Sequence, residues 1–295
     1  MLGTQTEPNM TQPNAFDPEA FSAMVDAMAQ VPQGPRFQPL PAGTFPAASL
    51  VAWLGLAERA GIPAVRAEVV ETLNIDAVLR SDDPQAEGAP QVIARLEAIN
   101  EGLPVGEMLR WDCCAGFEIK AALSEGRLPE GGECQVGLDP RSFDLLYEFP
   151  AESIAVVQRP WVKAQGLDGY PVEFRVYVAQ GKIHAVANYY LQRPLPDSPA
   201  IQEAVQAAMR STQALIAQAQ QEALAPAMPG QNDPQGDWAG TLDFLVAEDG
   251  QVLFLEAGPG WGWGAHPCVF LQPDERTVDL VEGLKLGSGL PTLPL

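Results

Sequence analysis

Thr241–Gly264 reads TLDFLVAEDGQVLFLEAGPGWGWG. Thr241–Ala247 and Val252–Glu256 are apolar runs of strand length, and Glu248-Asp249-Gly250 between them is a turn, so the stretch predicts a β-hairpin. Each strand carries one acid, Asp243 after Leu242 and Glu256 at the end of the second run. Antiparallel pairing brings both carboxylates to one end of the ribbon, beside the Gly- and Trp-rich loop Ala257–Ala265. There they either hold Mg²⁺, a hard cation that keeps water or phosphate in its other positions, or stand as solvated charges at strand ends.

Upstream, Val172–Ala179 (VEFRVYVA) and Lys182–Tyr190 (KIHAVANYY) alternate about a Gln180-Gly181 turn and predict a second hairpin. Glu173 and Arg175 share one face of its first strand, either as an ion pair or with the Arg offered to a phosphate or carboxylate. Ser153–Lys163 (SIAVVQRPWVK) is an extended apolar run, and Pro160 inside it argues against a central ladder position there. A strand broken by Pro leaves backbone groups near Gln158 and Trp161 for a planar base, with Lys163 beyond. Pro199–Ala223 predicts one long helix, and Ala225–Gly240 a loop.

Ala47–Ala60, Gln91–Asn100 and Phe117–Glu125 read as helices that stop before or at a Gly, and Val105–Trp111 reads as extended. Leu109-Arg110-Trp111-Asp112 puts an Arg beside an Asp, and Lys120 lies in the helix after it. Residues 1–45 are rich in Pro, Gln, Thr and Asn and read as an arm or tail, with a short helix at Pro18–Gln30.

Composition narrows the function. The 295 residues are 46% hydrophobic, enough for a sizeable core. The net charge of −21 disfavours nucleic acid and anionic membrane as partners. Between Arg110 and Arg193 the chain carries 9 basic and 11 acidic residues, so about half of all cations sit in the strand-rich middle. An anionic ligand is expected there. Cys113, Cys114, Cys134 and Cys268 form no CxxC pair, and the first two are expected on opposite sides of an extended chain. They read as buried hydrophobes in a reducing compartment. The N-terminus has no signal-peptide pattern, and the expected location is the cytoplasm. His184 reads as structural, and His266 has no partner for a metal cluster. Ser124 and Ser142 lack a GxSxG setting, and neither a GxGxxG nor a Walker A motif is present.

The order of these motifs resembles the catalytic half of ATP-grasp proteins over roughly residues 105–270. The residues that carry it are Arg110-Trp111-Asp112, Glu173-Phe174-Arg175, Leu242-Asp243-Phe244 and Leu255-Glu256, with the Gly258–Gly264 loop behind them. The likeness is greatest to the divergent branch shared by phage proteins and a eukaryotic cell-division-cycle chaperone that assembles a translation initiation factor. It implies an α+β fold, with antiparallel sheets of two α+β subdomains enclosing a nucleotide cleft. The expected division is an arm at 1–45, one subdomain at 46–150, and a catalytic one at 151–295 with a helical insertion at 198–224. It implies adenine at the Gln158–Trp161 backbone, with Lys120, Lys163, Glu173, Arg175 and Arg110 toward ATP. Asp243 and Glu256 would hold Mg²⁺. The implied activity is carboxylate–amine ligation on a peptide or protein, in the host cytoplasm if the chain is phage-encoded. Many relatives carry Glu-x-Asn at the last strand, where this chain has Glu256-Ala257-Gly258. That departure keeps open a catalytically weak nucleotide-binding chaperone or adaptor, or a virion or assembly protein.

Overall fold

A computed structural model describes residues 39–116, 134–167, 170–190, 195, 198–228, 238–258 and 285–286. In chain order these form β1 (Thr44–Pro46), α1 (Leu50–Arg59), β2 (Glu68–Asn74), α2 (Ile75–Arg80), α3 (Ala89–Glu101) and β3 (Glu107–Trp111). Next come α4 (Pro140–Glu148), β4 (Ser153–Pro160), β5 (Gly166–Leu167), β6 (Tyr170–Pro171), β7 (Glu173–Ala179) and β8 (Lys182–Asn188). The last are α5 (Pro199–Gln221), β9 (Ala225–Ala227), β10 (Gly240–Val246), β11 (Val252–Gly258) and β12 (Lys285–Leu286). The expected helices at 18–30 and 117–125, and most of the Gly- and Trp-rich loop, lie outside the described residues.

The fold is mixed α and β, built on two largely antiparallel sheets. One has five strands in the order β11-β10-β7-β8-β12, with only β12 parallel to its neighbour. The other has three, β2-β4-β3, all antiparallel. Both expected hairpins are present. Gln180 and Gly181 turn the first with φ of 51° and 67°, the pairing of positive angles that matches strand twist.

Alternation along β7 and β10 sorts their side chains. Phe174, Val176, Val178, Leu242, Phe244 and Val246 enter one core. The long helix covers that face. Ser198 caps α5 by accepting from the Ile201 N–H at 3.3 Å, and Pro199 starts it, where its missing N–H costs nothing. Ile201, Ala204, Val205, Ala208, Met209, Thr212, Leu215, Ile216 and Ala219 recur at helical spacing and are buried. From α1, Trp53, Leu56 and Ala57 join the same core, so an early helix packs on the later sheet. A second core under the three-stranded sheet gathers Leu73, Ile75, Val78, Leu109, Leu146 and Val156.

Several elements depart from the expected pattern. The stretch read as loop after α5 begins with β9, which pairs in parallel with β1. Thr44 and Phe45, at the end of the expected arm, thereby pair with Ala225 and Pro226. β2, α2 and α4 had no counterpart in the reading. In β2 most side chains are exposed, so EVVETLN shows no clean alternation. β4 is a central strand despite its proline: β2 ends at the Glu68↔Gln158 pair, so Pro160 faces only β3. β4 lies after the division expected at residue 150 yet pairs with β2 and β3 before it, so this sheet straddles that position. Among the described residues no helix is long and apolar enough to cross a membrane.

Candidate functional site

The site is one row of charges across three strands of the larger sheet. Asp243 on β10 stands opposite Arg175 on β7 and opposite Glu256 on β11. Arg175 grips Asp243 as a fork, its Nε and Nη2 donating at 2.7 and 2.6 Å to the two carboxylate oxygens. At the other end, Arg110 reaches from β3 of the smaller sheet and its Nη1 donates to Glu256 Oε2. Thus the two sheets meet through an ion pair whose arginine is 2% exposed.

A β-bulge sets this row. The pairing runs Asp243↔Glu256 and then Phe244↔Phe254, so Leu255 is the extra residue. In a regular strand Phe254 and Glu256 would share a face. The bulge sends Phe254 into the core, edge-on to Phe244 at 5.7 Å, and Glu256 to the charged side. It also turns the Leu255 carbonyl toward Arg159, whose Nη1 donates to it at 3.1 Å.

Two cavities flank the row, and Glu256 lines both. The first, about 350 Å³, has apolar walls that include Val65, Met108, Trp161, Leu245 and Leu255. Polar groups at its edge are Arg159, Lys163, Glu173, Tyr190 and Glu248. Its floor segment is held by the Trp161 N–H to Gly106 at 2.7 Å and by Gln165 and Lys163 pairing with Val246 and Glu248. The second cavity, about 370 Å³, is lined by Arg110, Arg175, Asp243, Cys113, Cys114 and residues of α4.

The electrostatics follow from burial. Burial opposes the charge on Arg175 and Arg110, but Asp243 and Glu256 more than offset it, and both guanidinium pKa values lie above the ordinary one. Arg175 also sits over the Tyr189 ring at 4.7 Å. Arg159 differs. Burial, with Arg110 nearby, lowers its pKa to about 10, and its bonds go to the Leu255 carbonyl and the Met108 sulfur. Tyr190 donates to Glu173 at 3.3 Å, and burial beside that acid pushes its hydroxyl well up. Along the two cavities five cations (Arg110, Arg141, Arg159, Lys163, Arg175) stand with six acids (Asp144, Glu148, Glu173, Asp243, Glu248, Glu256), so the site is far closer to neutral than the chain, whose net charge is −21.

The structure gathers Trp161, Lys163, Glu173 and Glu256 around the first cavity, and Arg110, Arg175, Asp243 and Glu256 around the second. Gln158 does not line either. Alternation along β4 turns it to the other face, where it bonds Glu107 and lines an outer groove. Its neighbour Arg159 takes the inward place, and since apolar residues occupy both faces of β4, the sequence alone does not single it out. Lys120 lies outside the described residues. Neighbours Arg110 and Asp112 make different bonds: Arg110 pairs with Glu256, while Asp112 supports the start of α1, accepting from the Val51 N–H and from the hydroxyl of the N-cap Ser49, each at 2.7 Å. Cys113 and Cys114 do not face opposite sides either. A turn replaces the extended chain and leaves their sulfurs 3.8 Å apart.

Among the described residues no group of three or more His, Cys, Asp or Glu gathers as a metal cage. Asp243 and Glu256 supply two hard carboxylates at paired positions. That donor set fits a cation such as Mg²⁺, which completes its shell with water and phosphate. Gly258 leaves no room for more: a Cβ there would meet Thr241 Oγ1 at 2.9 Å.

Several solved structures are similar to this chain at low identity, and they are ATP-grasp-type proteins. Cdc123 from Schizosaccharomyces pombe is similar over 72% of this chain and 82% of its own, at 14% identity and a TM-score of 0.37. The macrocyclase MdnC from Microcystis aeruginosa MRC, bound with precursor peptide MdnA, is similar over 90% of this chain and 70% of its own, at 15% identity and 0.34. D-alanine-D-alanine ligase from Aeromonas hydrophila is similar over 72% of this chain and 53% of its own, at 11% identity and 0.33. No family model and no curated protein matches the sequence.

Proposed function

We propose that the chain binds ATP with Mg²⁺ and works as a carboxylate–amine ligase of the ATP-grasp type on a peptide or protein. The observation that carries this is the row Arg175–Asp243–Glu256–Arg110 at the meeting of two cavities. The first cavity would take the base between Val65, Trp161, Leu245 and Leu255, with Lys163 and Glu173 at its polar edge. The backbone of Gln158–Trp161 would meet the base edge. The phosphates would lie along the row, where Arg110, Arg159 and Arg175 stabilise their charge. Arriving phosphate oxygens compete with Asp243 and Glu256 for the guanidinium donors and release those carboxylates. Asp243 and Glu256 would hold Mg²⁺, which supplies further neutralisation of phosphate charge. The second cavity would hold the carboxylate to be activated, aligned for attack on the terminal phosphate. The incoming amine would then attack the acyl carbon of the acyl phosphate, forming the amide and releasing inorganic phosphate.

One observation favours a second reading, a nucleotide-binding chaperone or adaptor with weak catalysis. Both carboxylates already hold arginines, and Gly258 stands where many ATP-grasp enzymes carry Asn, in a space closed by Thr241.

Thermal melting with MgATP tests both. A ligand at about a hundred times its Kd stabilises by roughly 2.7 kcal/mol, a rise of roughly 4 °C at this size. Asp243→Asn should lose the Mg²⁺-dependent part of that rise. The variant also weakens the Arg175 fork, so each protein is compared with its own ligand-free melt. ADP release with peptide acceptors supports the ligase; a shift without ADP release selects the adaptor. No shift with ATP, ADP or GTP rejects both.

A further inference from the structure

The turn after β3 carries two thiols that the proposed ligation does not use. The Cys114 N–H donates to the Trp111 carbonyl at 3.2 Å, and this turn draws Cys113 Sγ to 3.8 Å from Cys114 Sγ. Both residues line the second cavity, yet they are only 9% and 4% exposed. A small reagent entering the cavity therefore meets two sulfurs that bulk partners do not. Ser142 Oγ lies 4.0 Å from Cys114 Sγ, while Cys134 sits in a separate cluster with Met108 and Ala115.

We propose that Cys113 and Cys114 form a vicinal dithiol site, closed to a disulfide by hydrogen peroxide and bridged by a trivalent arsenical, and that closure loosens the start of α1. The first step is attack of the Cys114 thiolate on a peroxide oxygen, giving a sulfenic acid and hydroxide. The Cys113 thiol then attacks the sulfenic sulfur, and water leaves. In balance, two thiols lose two electrons and two protons, and the peroxide becomes two waters. The order of attack fits the surroundings. The hydrogen bond from Cys113, with Arg110 nearby, holds the Cys114 thiol below its ordinary pKa, while the same contact and burial push Cys113 well up. An arsenical R–As=O condenses with both thiols and releases one water.

Closure acts on the helix through the residue before the pair. Asp112 Oδ1 accepts from the Val51 N–H, Oδ2 accepts from the hydroxyl of the N-cap Ser49, and the Asp112 carbonyl accepts from the Leu50 N–H at 3.1 Å. Bringing the sulfurs from 3.8 Å to about 2.05 Å turns the peptide between them and pulls on Asp112. The Leu50 and Val51 N–H groups then lose their acceptors.

The test uses the reduced full chain. Tryptic cleavage at Arg110 and Lys120 releases Trp111–Lys120, which holds both thiols and no other cysteine. After peroxide this peptide should lose two hydrogens, stay unlinked, and regain them with dithiothreitol. Phenylarsine oxide on the native protein should add one phenylarsenic to the same peptide and block the peroxide reaction. The oxidised protein should melt about 2 °C lower, the loss of one helix cap, and recover on reduction. Cys113→Ser and Cys114→Ser should each abolish closure; the arsenical arm on the unmutated chain covers the case where either fails to fold. Linkage to the Cys134 or Cys268 peptide, reaction only after unfolding, or an unchanged melting point would overturn the proposal.

Discussion

Arg159 shows how the site trades stability for a ligand. A buried guanidinium bonded to a carbonyl and a thioether, with Arg110 nearby, is held in its charged form at a cost, and its pKa falls to about 10. An anion in the first cavity would relieve that cost. Arg159→Met should therefore raise the ligand-free stability by about 1–3 kcal/mol, since a well-packed apolar side chain often replaces a buried ion without loss. It should also shrink the MgATP shift, as read by melting with and without nucleotide. If both changes run the other way, Arg159 is a structural anchor. The Arg175–Asp243 fork is different in kind, because each charge already answers the other.

At the scale of elements, two ends are tuned by single neighbours. The end of β11 is closed: a Cβ on Gly258 would lie 2.9 Å from Thr241 Oγ1, on a β-branched side chain that is itself buried. Gly258→Ala should cost about 1–3 kcal/mol by overpacking. Thr241→Ala in the same chain should return most of it, a coupling that denaturant melts of the four proteins would measure. The start of α1 depends on Asp112, whose pKa burial raises although Val51, Ser49 and Arg110 pull it down. The folded state thus keeps a proton that the unfolded chain releases, and stability contributed by this group is lost as pH rises through the folded pKa. Asp112→Asn removes that titration. The stability of the unmutated protein relative to the variant should grow as pH is lowered through the acid range in paired melts; no change would mean that Asp112 titrates normally.

Across the whole molecule, Arg110–Glu256 joins the two sheets where the cavities meet. Removing either partner leaves a buried charge, so Arg110→Ala or Glu256→Ala alone should cost about 3–5 kcal/mol. The double variant should cost less than the sum, because no charge is left stranded. Additive losses would mean the pair contributes nothing as a pair. Two of the cleft acids, Asp243 and Glu256, are answered by arginines, and the cations of the cleft come from the middle of the chain, which holds about half of all its cations.

Local pattern determined a good deal of this protein. Alternation about short turns specified both hairpins, a capped Ala- and Gln-rich run specified α5, and an acid on each strand of the last hairpin marked Asp243 and Glu256 as candidates. These signals are legible because they rest on contacts within a few residues. Only the tertiary structure decided the rest. Which side of β4 faces the cavity depends on sheets assembled from residues 68–160, so Arg159, not Gln158, points inward. The reach of Arg110 to Glu256 joins segments far apart in the chain, and neither the bulge at Leu255 nor the turn that brings Cys113 to Cys114 has a marking residue in the sequence. β2 and β9 escaped notice because their order comes from partners far along the chain, not from their own residues.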